Sequence, residues 1–112
     1  MFHQQVTRLR GVSVTDRYEN TTLDWSNPAR LIVNGVSVQP RARTETTTDG
    51  RTVLVSGWWL CTAPGVDVDL TAADRVEHDG LVLEVDGDVA RWPDPDGDGV
   101  HHVEAALRRV TG

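Results

Sequence analysis

"RVEHDGLVLEV", residues 75–85, is the stretch whose reading decides the fold. Asp79-Gly80 is a dipeptide that accepts the positive φ a type I′ hairpin turn requires, and β-prone residues flank it on both sides. After the turn the apolar residues alternate. Leu81, Leu83 and Val85 fall on one face and Glu84 on the other, the period of two that marks a half-buried strand. The same turn chemistry recurs outward from here. Asn34-Gly35 sits between "RLIV" and "VSV", Asp49-Gly50 between "TETTT" and "RTVLV", and Asp86-Gly87 directly after "LVLEV". Read alike, all four are type I′ turns, and the chain is a succession of hairpins.

Between the turns, residues 4–10 ("QQVTRLR") form a plausible first strand before Gly11. Residues 16–29 read as a long connection, with a turn expected over Asp24, Trp25, Ser26, Asn27 and Pro28, because Ser and Asn bond their own backbone and proline fixes φ. In 53–60 both alternating sets are largely apolar: Val53, Val55 and Trp59 against Leu54, Trp58 and Leu60. That strand is expected to be central and covered on both sides. Two segments stay open. "LTAAD", 70–74, has the composition of one helical turn. In "VHHVEAALRRV" the residues Val103, Leu107 and Val110 fit a helix, while Val103, Ala105 and Leu107 fit one face of a strand. Several short strands joined by tight turns predict an all-β chain, a small β-barrel built from hairpins.

At 112 residues the sequence fits one domain, 1–112, with a single modest core. It contains no run of eighteen apolar residues, and "MFHQQVTRLRG" lacks the apolar middle of a signal peptide, so the expectation is no membrane and a cytoplasmic start. The net charge of −6 sets 17 carboxylates against 11 basic residues, every one an arginine. Such a surface repels phosphate backbones and disfavours sequence-independent DNA binding. The pairs Arg8 and Arg10, Arg41 and Arg43, and Arg108 and Arg109 read either as solvated strand positions or as a phosphate or partner patch.

No catalytic constellation is legible. The serines lie in no nucleophile elbow, and there is no phosphate-cradling glycine loop and no His-Glu-x-x-His pair, so the chain is read as non-enzymatic and without a cofactor. Cys61 reads as a small buried hydrophobe with no chemistry assigned. His101 and His102 are adjacent and on a strand point to opposite faces. His102 and Glu104 share a face, but zinc usually takes at least three protein ligands, so no metal is assigned. "DPDGDG" places Asp94, Asp96, Asp98 and Gly99 at the first positions of a calcium loop. Ala105 stands where the bidentate carboxylate belongs, and no flanking helix precedes the segment, so it reads as an acidic turn between the last two strands.

Taken in order, "VTRLRG", "LDWSNPA", "VNGVSVQP", "GRTVLVSGWWLCTAPGVDV", "LTAADRV", "HDGLVLEVDGDVARW" and the closing "LRRVTG" resemble the head-to-tail stopper, or head-closure, proteins of long-tailed bacteriophages, especially those of actinobacterial hosts. The resemblance covers most of the chain. It implies a homo-oligomeric ring, usually a dodecamer, in the neck of a virion assembled in the host cytoplasm. Portal and adaptor proteins lie above the ring, and tail terminator and tail tube proteins below. The ring closes the capsid channel on packaged DNA without binding it specifically and offers the surface on which the tail docks.

In that family a long loop between two early strands projects into the channel. The matching residues are Pro40, Arg41, Ala42, Arg43, Thr44, Glu45, Thr46, Thr47, Thr48, Asp49, Gly50 and Arg51. Rich in threonine and without large apolar side chains, this segment is expected to be mobile in the free subunit and to order beside its neighbours in a ring. Trp58 and Trp59 must face opposite ways, so one ring is expected inside the barrel and the other against a partner, or both within a two-sided core. Asp94, Asp96 and Asp98 are more acidic than a plain connecting loop and are candidate contacts for a neighbouring neck protein. Two other roles remain in view: an adaptor or tail-completion subunit, and a small cytoplasmic β-barrel module binding nucleic acid or a small ligand.

Overall fold

The computed structural model describes residues 2–110, and the side chains of all of these except 42–45 and 53–56. The expected inward and outward sets at Val53, Leu54 and Val55, and the last two residues of "LRRVTG", therefore lie outside the described residues. The described residues form seven strands: β1 (Gln4–Thr15), β2 (Thr21–Thr46), β3 (Thr52–Thr62), β4 (Arg75–His78), β5 (Leu81–Val85), β6 (Ala90–Pro93) and β7 (Val100–Arg109). All belong to one antiparallel sheet. Its hydrogen bonding runs from β3 through β2, β1, β4, β5 and β7, and a β3–β7 pairing returns it to the start. The all-β expectation is borne out, with the ladder closing ring-like around one core.

The four turn dipeptides part company here. Asp79 (φ 50) and Gly80 (φ 77) both adopt positive φ and join β4 to β5 as the two-residue turn expected. Asp49-Gly50 also turns a hairpin, but a longer one with positive φ at Gly50 (φ 85) and none at Asp49. Asn34-Gly35 turns nothing. Gln5 pairs with Asn34 and Gln4 with Val36, so Gly35 (φ 71) is the extra residue of a β-bulge within β2. Asp86-Gly87 is likewise a break inside an extended run. Val85 pairs with Leu107 and Ala90 with Glu104, leaving 86–89 opposite two residues of β7. A glycine after Asn or Asp supplies positive φ to a bulge as readily as to a turn. Only the pairing of the flanking strands distinguishes the two.

Other expectations are corrected by the same ladder. β1 does not stop at Gly11; it continues to Thr15 and pairs with β2 back to Thr21, so most of the supposed connection 16–29 is strand. The turn expected at Asp24–Pro28 is a wide bulge, residues 25–28 standing opposite Gly11 alone. The local bonding foreseen there does form: the Ser26 amide and hydroxyl both donate to Asp24 Oδ1, at 2.9 and 2.7 Å. "LTAAD" is a turn and not a helix, closed by the Asp74 amide on the Thr71 carbonyl (3.1 Å) and the Thr71 amide on Asp74 Oδ2 (2.8 Å). The closing segment is a strand, with Val103, Ala105 and Leu107 buried at alternate positions.

The core gathers Val6, Val33, Val36, Val38, Leu60, Val76, Leu83, Val85, Val103, Ala105 and Leu107 from the strands, with Val68 and Leu70 from the β3–β4 connection laid across it. That connection is anchored by charge. Arg10 donates to both Asp74 oxygens at 2.9 Å, and Arg8, itself buried, reaches Asp69 at 3.2 Å. Arg91 donates to the Val68 and Leu70 carbonyls at 3.1 and 2.8 Å. Burial alone would raise the Asp74 carboxyl. The Arg10 guanidinium and the Thr71 amide outweigh it and hold the group below its usual value.

Candidate assembly surfaces

The segment read as a projecting loop is a hairpin. Residues 40–46 pair with 52–58 in continuous register, from Pro40 opposite Trp58 to Thr46 opposite Thr52, and only 47–51 turn. The Thr47 amide bonds the Arg51 carbonyl (2.8 Å), the Gly50 amide bonds the Thr47 carbonyl (3.0 Å), and Asp49 accepts from the Thr47 hydroxyl and the Arg51 amide. Those two donors, the hydroxyl first, hold the Asp49 carboxyl below its usual range. The backbone of this segment is thus a two-stranded ribbon, and the β-branched threonines suit its extended conformation. The side chains of Ala42, Arg43, Thr44 and Glu45 lie outside the described residues. At the base Arg41 donates to the Trp58 carbonyl (3.2 Å) and to Asp86 (2.8 Å).

Beyond Gly57, β3 pairs with β2 alone, since its ladder with β7 covers 58–61. A second ribbon, which sequence reasoning missed, is the outer half of the β1–β2 hairpin. Past Gly11 it has no further strand beside it among the described residues, and its tip is organised by Asp16 Oδ1 accepting from the Tyr18 and Asn20 amides (2.8 and 3.0 Å). Its side chains include exposed Val12, Val14, Tyr18 and Leu23. The two ribbons explain the shape. The radius of gyration is 16.2 Å, against about 13 Å for a compact chain of this length. Two-stranded ribbons are marginal in water by themselves, and apolar residues on both faces of one suit a contact with another surface.

Gly11 carries the second ribbon at its root. A Cβ there would lie 3.0 Å from both Leu23 Cβ and the Trp25 ring, and Arg75 covers that ring at 4.0 Å. The adjoining cleft, lined by Arg10, Gly11, Leu23, Thr71, Ala73 and Asp74, has a volume of about 210 Å³. That is below the usual range of ligand pockets, and its charged residues already satisfy one another.

Trp58 and Trp59 do face opposite ways. Trp58 packs against the core with Arg109 over its ring at 5.7 Å, while Trp59 is 41% exposed. Here β3 is central in its hydrogen bonding but covered on one side only, which corrects the two-sided core at this position. Asp94, Asp96 and Asp98 lie in the turn between β6 and β7, where the Asp94 amide bonds the Gly99 carbonyl (3.1 Å) and Asp94 Oδ1 accepts the Asp96 amide (2.9 Å). The arginine pairs are mostly consumed within the fold. Arg108 bonds Glu84 (2.8 Å) and Asp86 (3.4 Å), as Arg8 and Arg10 bond Asp69 and Asp74.

The outer face of β7 brings together residues that the sequence keeps apart. Cys61 pairs with Glu104 and Trp92 with His102, and in an antiparallel pair directly opposed residues share a face. Trp92 Nε1 donates to Glu104 Oε2 (2.8 Å), and Glu104 Oε1 lies 3.5 Å from His102 Nε2 and 3.9 Å from Cys61 Sγ. Cys61 is half-buried and not a core residue. Burial first, then the Glu104 charge, push its thiol up. His101 and His102 also meet, Nδ1 to Nδ1 at 2.9 Å, although their Cβ atoms leave opposite sides of the strand.

No family model and no curated protein matches the chain. A solved structure does: a chain of the virion of a native gene transfer agent particle, with a TM-score of 0.56, 16% sequence identity, and 98% of this chain and 96% of that one covered. At that identity the shared property is the fold. It extends over nearly the whole of both chains, ribbons included.

Proposed function

We propose that this chain is a structural subunit of a phage-type virion, and specifically the head-to-tail stopper of its neck. The likeness to a virion chain over nearly the full length of both molecules carries this reading. The family resemblance in the sequence points the same way, and the two ribbons give the physical rationale. A subunit whose body is a small closed ladder, with two strand pairs extending from it, is built to touch neighbours. In a ring of copies, residues 40–57 reach toward the channel, with the turn at 47–51 narrowing it. The exposed apolar residues of the β1–β2 ribbon and Trp59 meet adjacent subunits or the rings above and below. Pairing ribbon edge to ribbon edge would satisfy their free backbone groups, as strand addition does elsewhere. The role is obstruction and docking, with no catalysis. The net charge of −6 suits a channel that must release DNA without holding it.

Electron microscopy of particles produced without this gene tests the proposal. Packaged heads that leak their DNA and carry no tails are expected. Filled heads that retain DNA and acquire tails would refute it.

A further inference from the structure

We infer that the outer face of β7 holds a zinc-type divalent cation, bound by Cys61 Sγ from β3 and by His102 Nε2 and Glu104 Oε1 from β7. One ligand atom from each of the three residues lies within 4.8 Å of the others. Donors around a tetrahedral zinc, at about 2.0–2.1 Å for nitrogen or oxygen and about 2.3 Å for sulfur, stand about 3.3–3.6 Å apart. Two of the separations, 3.5 Å between His102 and Glu104 and 3.9 Å between Cys61 and Glu104, are near that spacing, and closure of the Cys61 and His102 side chains on the ion completes it.

The surroundings are arranged as outer-shell partners of a metal are. Metal-binding histidines use their second ring nitrogen in a hydrogen bond that fixes the tautomer. His102 Nδ1 meets His101 Nδ1 at 2.9 Å, which leaves Nε2 toward the other donors. Trp92 Nε1 donates to Glu104 Oε2 at 2.8 Å, so that oxygen is engaged and Oε1 faces the thiol and the imidazole. Trp92 also stacks on His102, with ring centres 6.0 Å apart and planes 13° apart, and thereby restricts the ring.

The donor set selects the ion. A thiolate with an imidazole and a carboxylate suits zinc, whereas calcium and magnesium prefer all-oxygen sites. On binding, the Cys61 proton leaves to solvent, and a thiolate and a carboxylate together balance the charge of the ion. A water would complete the four-coordinate set. A plain cross-strand pair would need only Cys61 and Glu104. The convergence of His102, with both His101 and Trp92 orienting the donors, is what that simpler arrangement leaves without a purpose.

Cobalt(II) titration of the purified full chain reads the site directly. The expected result is a near-ultraviolet thiolate-to-cobalt band with visible tetrahedral bands, all displaced by zinc. Cys61→Ser is expected to abolish the near-ultraviolet band. Glu104→Gln should weaken zinc binding by more than the roughly 10–100-fold that loss of an outer-shell partner costs, and Trp92→Phe by about tenfold. Circular dichroism of each variant separates loss of the site from loss of the fold, and the spectrum of the unaltered chain decides the question should a variant not fold. Saturation with cobalt without a thiolate band, or zinc affinity unchanged in a folded Cys61→Ser variant, would overturn the assignment, as would binding that depends on His3 or His78 instead.

Discussion

Gly57 and Leu107 meet where the sheet closes on itself: a Cβ on Gly57 would lie 2.7 Å from the Leu107 carbonyl oxygen. No side chain fits there, because the obstacle is backbone and cannot rotate away. Gly57 is also the last residue of β3 before the β7 ladder begins at Trp58. One glycine therefore marks both the seam of the ring-like ladder and the root of the 40–57 ribbon. Gly57→Ala is expected to destabilise the chain by about 1–3 kcal/mol. Chemical denaturation measures this, and Gly57→Val should cost more.

The Arg10–Asp74 pair, with both N···O contacts at 2.9 Å, ties the β3–β4 connection to β1. The Asp74 carboxyl is held below its ordinary value in the folded chain. Its contribution to stability is therefore complete above the unfolded carboxylate value, about 3.9, and is lost as pH falls through the lower folded value. Asp74→Asn should cost about 2 kcal/mol at neutral pH and flatten the decline in melting temperature below about pH 4. Thermal melts of both proteins between neutral and acidic pH check this.

Turn glycines should divide by backbone conformation. Gly80 has positive φ (φ 77) with nothing near its missing Cβ, so Gly80→Ala carries a conformational cost alone, about 1 kcal/mol. Gly97, in the acidic turn, has no positive φ and meets only Asp94 Oδ2 at 3.8 Å. Gly97→Ala is expected to change stability by no more than about 0.5 kcal/mol. Paired denaturation curves measure the difference.

Much of this was legible in the sequence, and the misses share a cause. Leu81, Leu83 and Val85 alternate as strand residues should, and Asp79-Gly80 turned where its chemistry required. Asn34-Gly35 and Asp86-Gly87 carry the same signature, yet the first became a bulge and the second a break between two strands that both pair with β7, because positive φ is a local property while a turn depends on which strands pair. The same limit hid the extent of β1 and β2. Asp24 to Pro28 do bond locally, but a bulge opposite Gly11 absorbs them without ending the strand. The cluster of Cys61, His102 and Glu104 was half visible. His102 and Glu104 are two residues apart, whereas Cys61 arrives from β3 through a register that no local pattern records. Strand alternation points His101 and His102 to opposite faces, but it governs where Cβ atoms point and not where ring nitrogens end, and the two rings meet.

The β1–β2 ribbon should matter for assembly and little for folding. Val14 and Tyr18 are 45% and 69% exposed, so Val14→Asp with Tyr18→Ser is expected to shift monomer stability by less than about 0.5 kcal/mol. Incorporation into particles should fall sharply. Melting of the free chain and quantitative immunoblotting of purified particles supply the two readings.

A cryo-electron microscopy reconstruction of the junction between head and tail tests the central claim most directly. The account predicts copies of this chain in a closed ring at that junction, with residues 40–57 directed into the channel. A junction built entirely from other chains, or a ring in which that ribbon points away from the DNA path, would contradict it.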